Sequence, residues 1–147
     1  MKRTSLLVTC LILIYNWANA QINPAKIDII RDSFGVPHIF GKTDPDVAYG
    51  LAWAHAEDDF VTIQQSLMAG KSMLAQYQGK KGASIDYIIH LLRIPELVEE
   101  KYESELSPAF KKLLEGYAAG LNAYATAHPK EVLLKKIFPV TPKDMVQ

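Results

Sequence analysis

Residues 44–67 read DPDVAYGLAWAHAEDDFVTIQQSL, and this stretch decides the fold. Its apolar residues recur every three or four positions, which is the period of an α-helix. They form two stripes on different sides, and a helix with two apolar sides is usually buried between neighbours. The first stripe comprises Tyr49, Trp53, Ala56, Phe60, Ile63 and Leu67, and the second comprises Val47, Leu51, Ala54, Asp58 and Val61.

This central helix is predicted to begin at Asp44 and to run to about Gln76, with a bend near Gly70. Asp44 suits the N-cap, because its carboxylate can accept a hydrogen bond from a backbone N–H of the first turn. Pro45 suits the first turn, where its missing N–H would have no helical partner.

Asp58 lies within the second stripe, so we expect it to be buried and ionised. A buried carboxylate needs a partner. Arg31 is the first candidate and Arg93 the second, because they are the only arginines after residue 20. Lysine is a poorer partner, since it lacks the planar fork that grips a carboxylate at two points.

The residues before this helix predict a β-hairpin. Residues 26–31 roughly alternate and are rich in β-branched side chains, which is typical of a strand. Residues 32–35 predict a turn, and residues 36–40 a second short extended segment. Pro37 favours an edge position for that segment, because proline cannot donate to a ladder.

The residues after the central helix predict further helices. We expect a loop over residues 79–82, helices over residues 85–92 and about 96–102, and an interruption at Pro95. Ser107, followed by proline, repeats the cap-then-proline pattern and begins the next helix. One apolar face of that helix comprises Phe110, Leu113, Leu114, Tyr117, Leu121 and Tyr124.

Gly116 and Gly120 lie four apart in that helix and would let another element approach closely. His128, followed by proline, ends the helix. Thr141 begins one more cap-then-proline pattern, and the chain stops at Gln147 about one turn later, which we interpret as a truncation. The predicted fold is therefore mainly α with a short N-terminal β-hairpin, in one small domain.

The first twenty residues have the three-part pattern of a secretory signal peptide. Two basic residues precede an apolar run over residues 6–15, and alanines follow at positions 18 and 20. The run is short for a bilayer span, so an uncleaved membrane anchor is the weaker interpretation. We predict that residues 1–20 are removed, that the mature chain begins at Gln21, and that it is periplasmic or secreted, with no membrane attachment.

Charge and cysteine content narrow the function of the mature chain. Removing the two basic residues of the signal from a chain with 16 basic and 16 acidic side chains leaves a net charge of −2. This balance gives no electrostatic reason to expect nucleic acid or an acidic membrane as a partner. Cys10 is the only cysteine and leaves with the signal, which excludes an internal disulfide and a cysteine nucleophile.

The mature chain shows no constellation that could carry catalysis. It contains neither a glycine-rich phosphate loop nor a nucleophile elbow, and its histidines lack metal-ligand spacing. The densest polar cluster combines His55 with Glu57, Asp58 and Asp59, but Glu57 and His55 lie on different helix faces. Ser33 has no base nearby in the sequence. We therefore predict no catalytic, cofactor-binding or metal-binding residue here; the histidines are His38, His55, His90 and His128.

Five segments resemble, in order, the motifs of the penicillin acylase family, which includes acyl-homoserine-lactone acylases and acylases of lipopeptides. Two positions depart from the family's pattern: Asp59 stands where an arginine is usual, and Gln76 where an acidic residue is usual. We interpret both positions as structural. The segments are IRDSFGVPHI (30–39), YGLAWAHAED (49–58), GKSMLAQYQG (70–79), GYAAGLNA (116–123) and PVTPKD (139–144).

The resemblance implies an N-terminal-nucleophile hydrolase with an αββα fold. In this family a precursor cuts itself and exposes a nucleophile, usually serine, at the start of a large β chain. Its free α-amino group acts as the base, and donors of the same chain hold the oxyanion. Residues 21–147 correspond to the N-terminal part of the small α chain, so their own contribution is that of a scaffold.

The resemblance also defines the expected partners. They are the missing large chain and, for the full-length enzyme, an acylated amide substrate that this segment does not identify. No cofactor is expected in this segment, although the resemblance allows calcium in the full-length enzyme. The alternative function is a secreted helical binding module that lacks the catalytic chain.

Overall fold

The computed structural model describes residues 22–147, which are mainly helical with one two-stranded hairpin near the N-terminal end. The predicted signal peptide and its cleavage before Gln21 lie outside these residues. Among residues 22–147, no helix is both long and apolar enough to cross a membrane. The elements are β1 (Asp28–Arg31), β2 (Pro37–Phe40), α1 (Asp44–Gly70), α2 (Ala75–Gln78), α3 (Lys80–Leu91), α4 (Ile94–Glu105) and α5 (Pro108–Ala127), with 3₁₀ turns at Pro24–Lys26, Lys135–Ile137 and Pro142–Val146.

The N-cap of α1 is Thr43 and not the predicted Asp44. The Thr43 hydroxyl accepts a hydrogen bond from Asp46 N at 3.4 Å, and the Asp46 carboxylate accepts one from Thr43 N at 3.1 Å. This reciprocal box satisfies two backbone donors, whereas a cap at Asp44 would satisfy one. Pro45 occupies the first turn, as predicted.

α1 ends at Gly70, where the sequence predicted a bend and a helix continuing to Gln76. Ser72 adopts the left-handed region with φ 53°, so the helix cannot continue through it. A short helix, α2, then follows. Within α1, Asp59 leaves helical geometry (φ −156°, ψ 72°), and its carboxylate accepts a hydrogen bond from Thr62 N at 3.0 Å, which caps the second half of the helix.

The predicted loop over residues 79–82 is wrong except for Gly79. That glycine turns the chain with φ 62°, and α3 begins at the next residue. Gly82 packs against the backbone of Leu74 and Ala75, and the Asp86 carboxylate accepts hydrogen bonds from both of their N–H groups at 2.8 Å. The apolar pattern predicted that this helix starts at residue 85, but α3 starts five residues earlier. The contacts of Gly82 and Asp86 with residues 74 and 75 stabilise this additional N-terminal part.

α1 and α5 form the centre of the fold, and their contacts advance in the same direction along both helices. Gly116 lies against the carbonyl of Pro45, and Gly120 lies four residues further on against the carbonyl of Tyr49. The Trp53 and Tyr124 rings then meet edge to face, with centroids 5.3 Å apart. The close approach predicted from the glycines is confirmed.

The predictions for the two apolar stripes of α1 differ in how well they agree with the structure. The first is confirmed, since its members are buried or half-buried against α5 and the C-terminal residues. The second is wrong in part: Ala54 is buried, but Val47 and Val61 are 36% and 46% exposed, and Asp58 is exposed. The hairpin region lies closest to α1 around Gly50, where Ile27 and Ile39 approach the helix.

We predict that Gly116→Ala destabilises the full-length protein by about 1–3 kcal/mol, because overpacking a close contact typically costs that much. A Cβ at this position would clash with the Pro45 backbone, which cannot move independently of α1. Urea unfolding monitored by circular dichroism measures the effect. The control is Lys112→Ala at an exposed position of the same helix, and equal midpoints for the two variants would contradict the close packing.

Candidate functional site

The loop of the hairpin is held by the backbone and by the carboxylate of Asp32. Asp32 Oδ1 accepts hydrogen bonds from Phe34 N at 2.9 Å and Val36 N at 3.0 Å. Gly35 adopts φ 83°, which favours glycine, and donates from its N to Asp32 O at 3.0 Å. The hydrogen bond from Val36, helped by that from Phe34 and by His38, holds the pKa of Asp32 below its usual 3.8.

Arg31 joins this loop to α1. Its guanidinium donates to Gly35 O at 2.8 Å and lies 2.8 Å from Asp58 Oδ1 and 3.2 Å from Glu57 Oε2. A longer hydrogen bond of 3.4 Å reaches Ala54 O. The hydrogen bond to Asp58, followed by that to Glu57, raises the pKa of Arg31 above its usual value.

Arg31 is therefore the partner of Asp58, as predicted, but the predicted burial of Asp58 is wrong. The Asp58 side chain is 53% exposed and that of Glu57 is 41% exposed. An exposed carboxylate keeps its hydration and does not depend on one partner. The second candidate, Arg93, pairs instead with Glu100 at 3.5 Å on the surface.

Glu57 is a member of this network that the sequence reasoning missed. Its Oε1 accepts a hydrogen bond from Trp53 Nε1 at 2.9 Å while its Oε2 binds Arg31. Trp53 and Glu57 lie four residues apart on one helix, and this spacing is the signal that could have predicted their contact. The Arg31–Glu57–Asp58 cluster thus joins the hairpin to α1.

Three of the four histidines, His38, His55 and His128, have separate partners. His55 Nδ1 lies 3.0 Å from the Tyr117 hydroxyl, between α1 and α5, and His38 Nε2 lies 3.4 Å from Asp32 Oδ2. His128 Nδ1 lies 3.2 Å from the Tyr124 carbonyl. Residues 22–147 contain no group of three His, Cys, Asp or Glu side chains that could hold a metal ion. His55 and Glu57 do not converge, in agreement with the helical spacing.

Two buried or half-buried amides clamp the residues after α5, and sequence reasoning missed both. Gln64 is fully buried; it accepts from Leu133 N at 2.8 Å and donates to Glu131 O at 3.0 Å. Asn122 accepts from Val140 N at 2.7 Å and donates to Val140 O at 2.8 Å. The partners are far away in sequence, so no local pattern predicts these bonds.

The clamped C-terminal residues leave two clefts beside α5. One, of about 340 Å³, is lined mainly by apolar atoms, including those of Ala125, Val132 and Phe138. The other, of about 270 Å³, has a more polar lining that includes Tyr117 and Asp144. Asp144 is held by Lys71 Nζ at 2.5 Å, so it is already paired.

Comparisons with known proteins give one consistent result. A model of the penicillin amidase family matches residues 26–146. Penicillin G acylase of Escherichia coli is 28% identical over 152 aligned residues, which cover 97% of this chain and 18% of that protein. Acyl-homoserine lactone acylase PvdQ of Pseudomonas fluorescens (strain Pf-5) is 27% identical over 113 residues, which cover 71% of this chain and 14% of that protein.

The fold agrees with these sequence matches. The structure of thermostable penicillin G acylase from Alcaligenes faecalis superposes with a TM-score of 0.67 at 23% identity, over 82% of this chain and 68% of that one. The predicted fold class, mainly α with a short N-terminal β-hairpin, is thereby confirmed for residues 22–147. The chain spans less than a fifth of the length of the curated relatives it matches.

We predict that Arg31→Ala destabilises the full-length protein more than Asp58→Ala. Arg31 bridges two carboxylates and two backbone carbonyls, whereas Asp58 is exposed and contributes one partner. Arg31→Lys should restore little, because an ammonium group lacks the fork. Urea unfolding midpoints measure the order, with Arg93→Ala as the surface control. An Asp58→Ala variant that unfolds as early as Arg31→Ala would contradict this ranking.

Proposed function

The chain belongs to the penicillin amidase family, and from this premise we propose that it is the N-terminal scaffold segment of a secreted acylase precursor that hydrolyses linear amide bonds. The observation that carries the proposal is the family match over residues 26–146. The matched relatives are named as acylases of penicillin G and of acyl-homoserine lactones. A substrate with an acyl group on an amide nitrogen is common to both names.

The active site of such an enzyme would come from the later, large chain. The mechanism needs a nucleophile at a new N-terminus, its α-amino group as base and donors for the oxyanion. An α-amino group titrates near neutrality, so it can act without an added histidine. Within residues 22–147 the hairpin serine, Ser33, makes no hydrogen bond to a histidine or a carboxylate, whereas His38 Nε2 and Asp32 Oδ2 lie 3.4 Å apart.

The surface of the segment also favours a scaffold role. α3 is anchored to α2 through Asp86 and Gly82, yet it exposes several large apolar side chains. Exposed apolar patches on a soluble protein usually mark an interface. The large chain of the same precursor is the partner that we propose for the segment. The exposed side chains on α3 are Ile85, Tyr87, Ile88, Leu91 and, directly after it, Leu92.

We predict that residues 21–147 expressed alone hydrolyse no acylated amine above background, whereas the full-length precursor does so after cutting itself. The reason is that nucleophile, base and oxyanion donors would all lie later in the chain. Release of free amine from acyl-homoserine lactone and from penicillin G measures both proteins, and Ser33→Ala is the control in each. Turnover by the segment that disappears in Ser33→Ala would overturn the scaffold proposal. The gene sequence gives an independent test, because a stop codon directly after residue 147 would favour the alternative function, a secreted binding module.

Export gives a separate test. We predict that the exported protein begins at Gln21, because small residues precede that position at the two sites that signal peptidase reads. N-terminal sequencing of the protein from the periplasm or the medium measures this start. Retention of Met1 in a soluble product would contradict the export proposal without affecting the acylase assignment.

A further inference from the structure

The larger of the two clefts beside α5, of about 340 Å³, lies between the last turns of that helix and residues 129–139. We call it the apolar cleft. Its volume falls within the range of small-molecule sites, which is about 300–1,000 Å³. A ligand that fills it needs an apolar body, because the lining is mainly apolar. The apolar lining residues are Ala125, Pro129, Val132, Phe138 and Pro139.

The walls of the apolar cleft are held by hydrogen bonds to the rest of the fold. The Asn122 side chain accepts from Val140 N at 2.7 Å and donates to Val140 O at 2.8 Å, which ties the end of the outer wall to α5. Gln64 of α1 holds the same wall at the backbone of residues 131 and 133. A preformed cleft needs little ordering when a ligand enters, so less of the binding free energy is lost.

One lining side chain gives the apolar cleft a charge. Lys135 is exposed at its edge and takes part in none of the ion pairs within residues 22–147. The hydroxyl of Thr126, another lining residue, already donates to Asn122 O at 2.8 Å. The neighbouring sequence is also basic, since residues 128–140 contain three lysines and one acidic residue. The edge of the cleft therefore favours an anionic group.

We propose that the apolar cleft binds a carboxylic acid with an apolar tail of roughly ten carbons, and that Lys135 binds the carboxylate. The ammonium group donates a charge-assisted hydrogen bond, while the apolar walls cover the tail. The tail length follows from the cleft volume, because a methylene group is about as large as a water molecule, which occupies about 30 Å³.

The source of this acid rests on the proposed function. Hydrolysis of an acylated amide breaks the bond between the acyl carbon and the nitrogen. The hydroxyl group of water goes to the acyl carbon and its remaining proton goes to the nitrogen, so each turnover releases one carboxylic acid and one amine. The acid released by the proposed reaction thus has the head group and the apolar tail that the cleft accepts.

Photoaffinity labelling of the full-length protein locates the bound acid. The probe is decanoic acid with a diazirine group near the end of its tail. We expect labelled peptides from residues 122–139, and an excess of decanoate should suppress the label. Decanol lacks the charge and butyrate lacks the tail, so neither should compete. An absence of saturable labelling in these residues, or equal competition by decanol, would overturn the proposal.

Substitution of Lys135 tests the head group. Lys135→Gln should raise the decanoate concentration that halves the labelling about tenfold, because it removes a charge-assisted hydrogen bond. Lys135→Arg should retain most of the affinity, since it keeps the charge. The matched control is Lys130→Gln, at an exposed position of the same basic segment that does not line the cleft. Equal losses in Lys135→Gln and Lys130→Gln would overturn the assignment of the carboxylate to Lys135.

Occlusion of the cleft tests the tail. Thr126 is exposed, so Thr126→Trp should place its ring in the cleft and abolish the labelling, whereas Lys130→Trp should not. If Thr126→Trp does not fold, a series of acids on the unchanged protein replaces it. Each methylene added between hexanoate and decanoate should lower the half-competition concentration about two- to fourfold, as expected for burial of a methylene group. A flat series would overturn the proposal.

The remaining outcomes separate this proposal from the proposed function, which is measured by release of amine from acylated substrates. Labelling of the cleft in a protein without acylase activity supports the site and overturns the proposed function. An active acylase without labelling at residues 122–139 does the reverse. Binding to anionic vesicles that depends on Lys135 and resists soluble decanoate would assign the cleft to a membrane surface and overturn the proposal.

Discussion

The contact between α1 and α5 at two glycines determines the rest of the structure. Gly116 and Gly120 bring the α5 backbone against the carbonyls of Pro45 and Tyr49, closer than any side chain would allow. This distance lets Trp53, Phe60 and Tyr124 pack edge to face in the next turns. Dispersion contacts of this kind are individually weak and collectively large, so the spacing of two backbones sets the energy of the core.

The shared direction of the two helices has a topological consequence. Helices that run the same way cannot be joined by a tight turn, because the chain must return along their whole length. Residues 71–107 make that return and fold into α2, α3 and α4 on the way. The hairpin packs against α1 in the same way as α5 does, at a glycine: Gly50 has no side chain, so the hairpin can approach the helix closely. Arg31 then links the loop of the hairpin to α1.

The sequence predicted the features that depend on local spacing. The hairpin, the first stripe of α1, the glycine contact and the cap at Thr141 all follow from residues within a few positions of one another. Asp58 shows the limit of this reasoning. Helical periodicity predicts which face of α1 carries Asp58, but it does not predict whether another element covers that face. The amide of Gln64 shows the same limit, since its partners at Glu131 and Leu133 are about 70 residues away.

The distribution of residue sizes links the packing to the scaffold role. The buried positions of α1 and α5 include many alanines and glycines, among them Ala52, Ala54 and Ala118. Several large apolar side chains, such as Phe34, Tyr87 and Leu91, are nevertheless exposed. A domain that folds alone gains most by burying its largest apolar groups. This segment buries large residues such as Phe60, Leu121 and Tyr124 on one side and still exposes others on another, as expected for a layer that packs against further polypeptide.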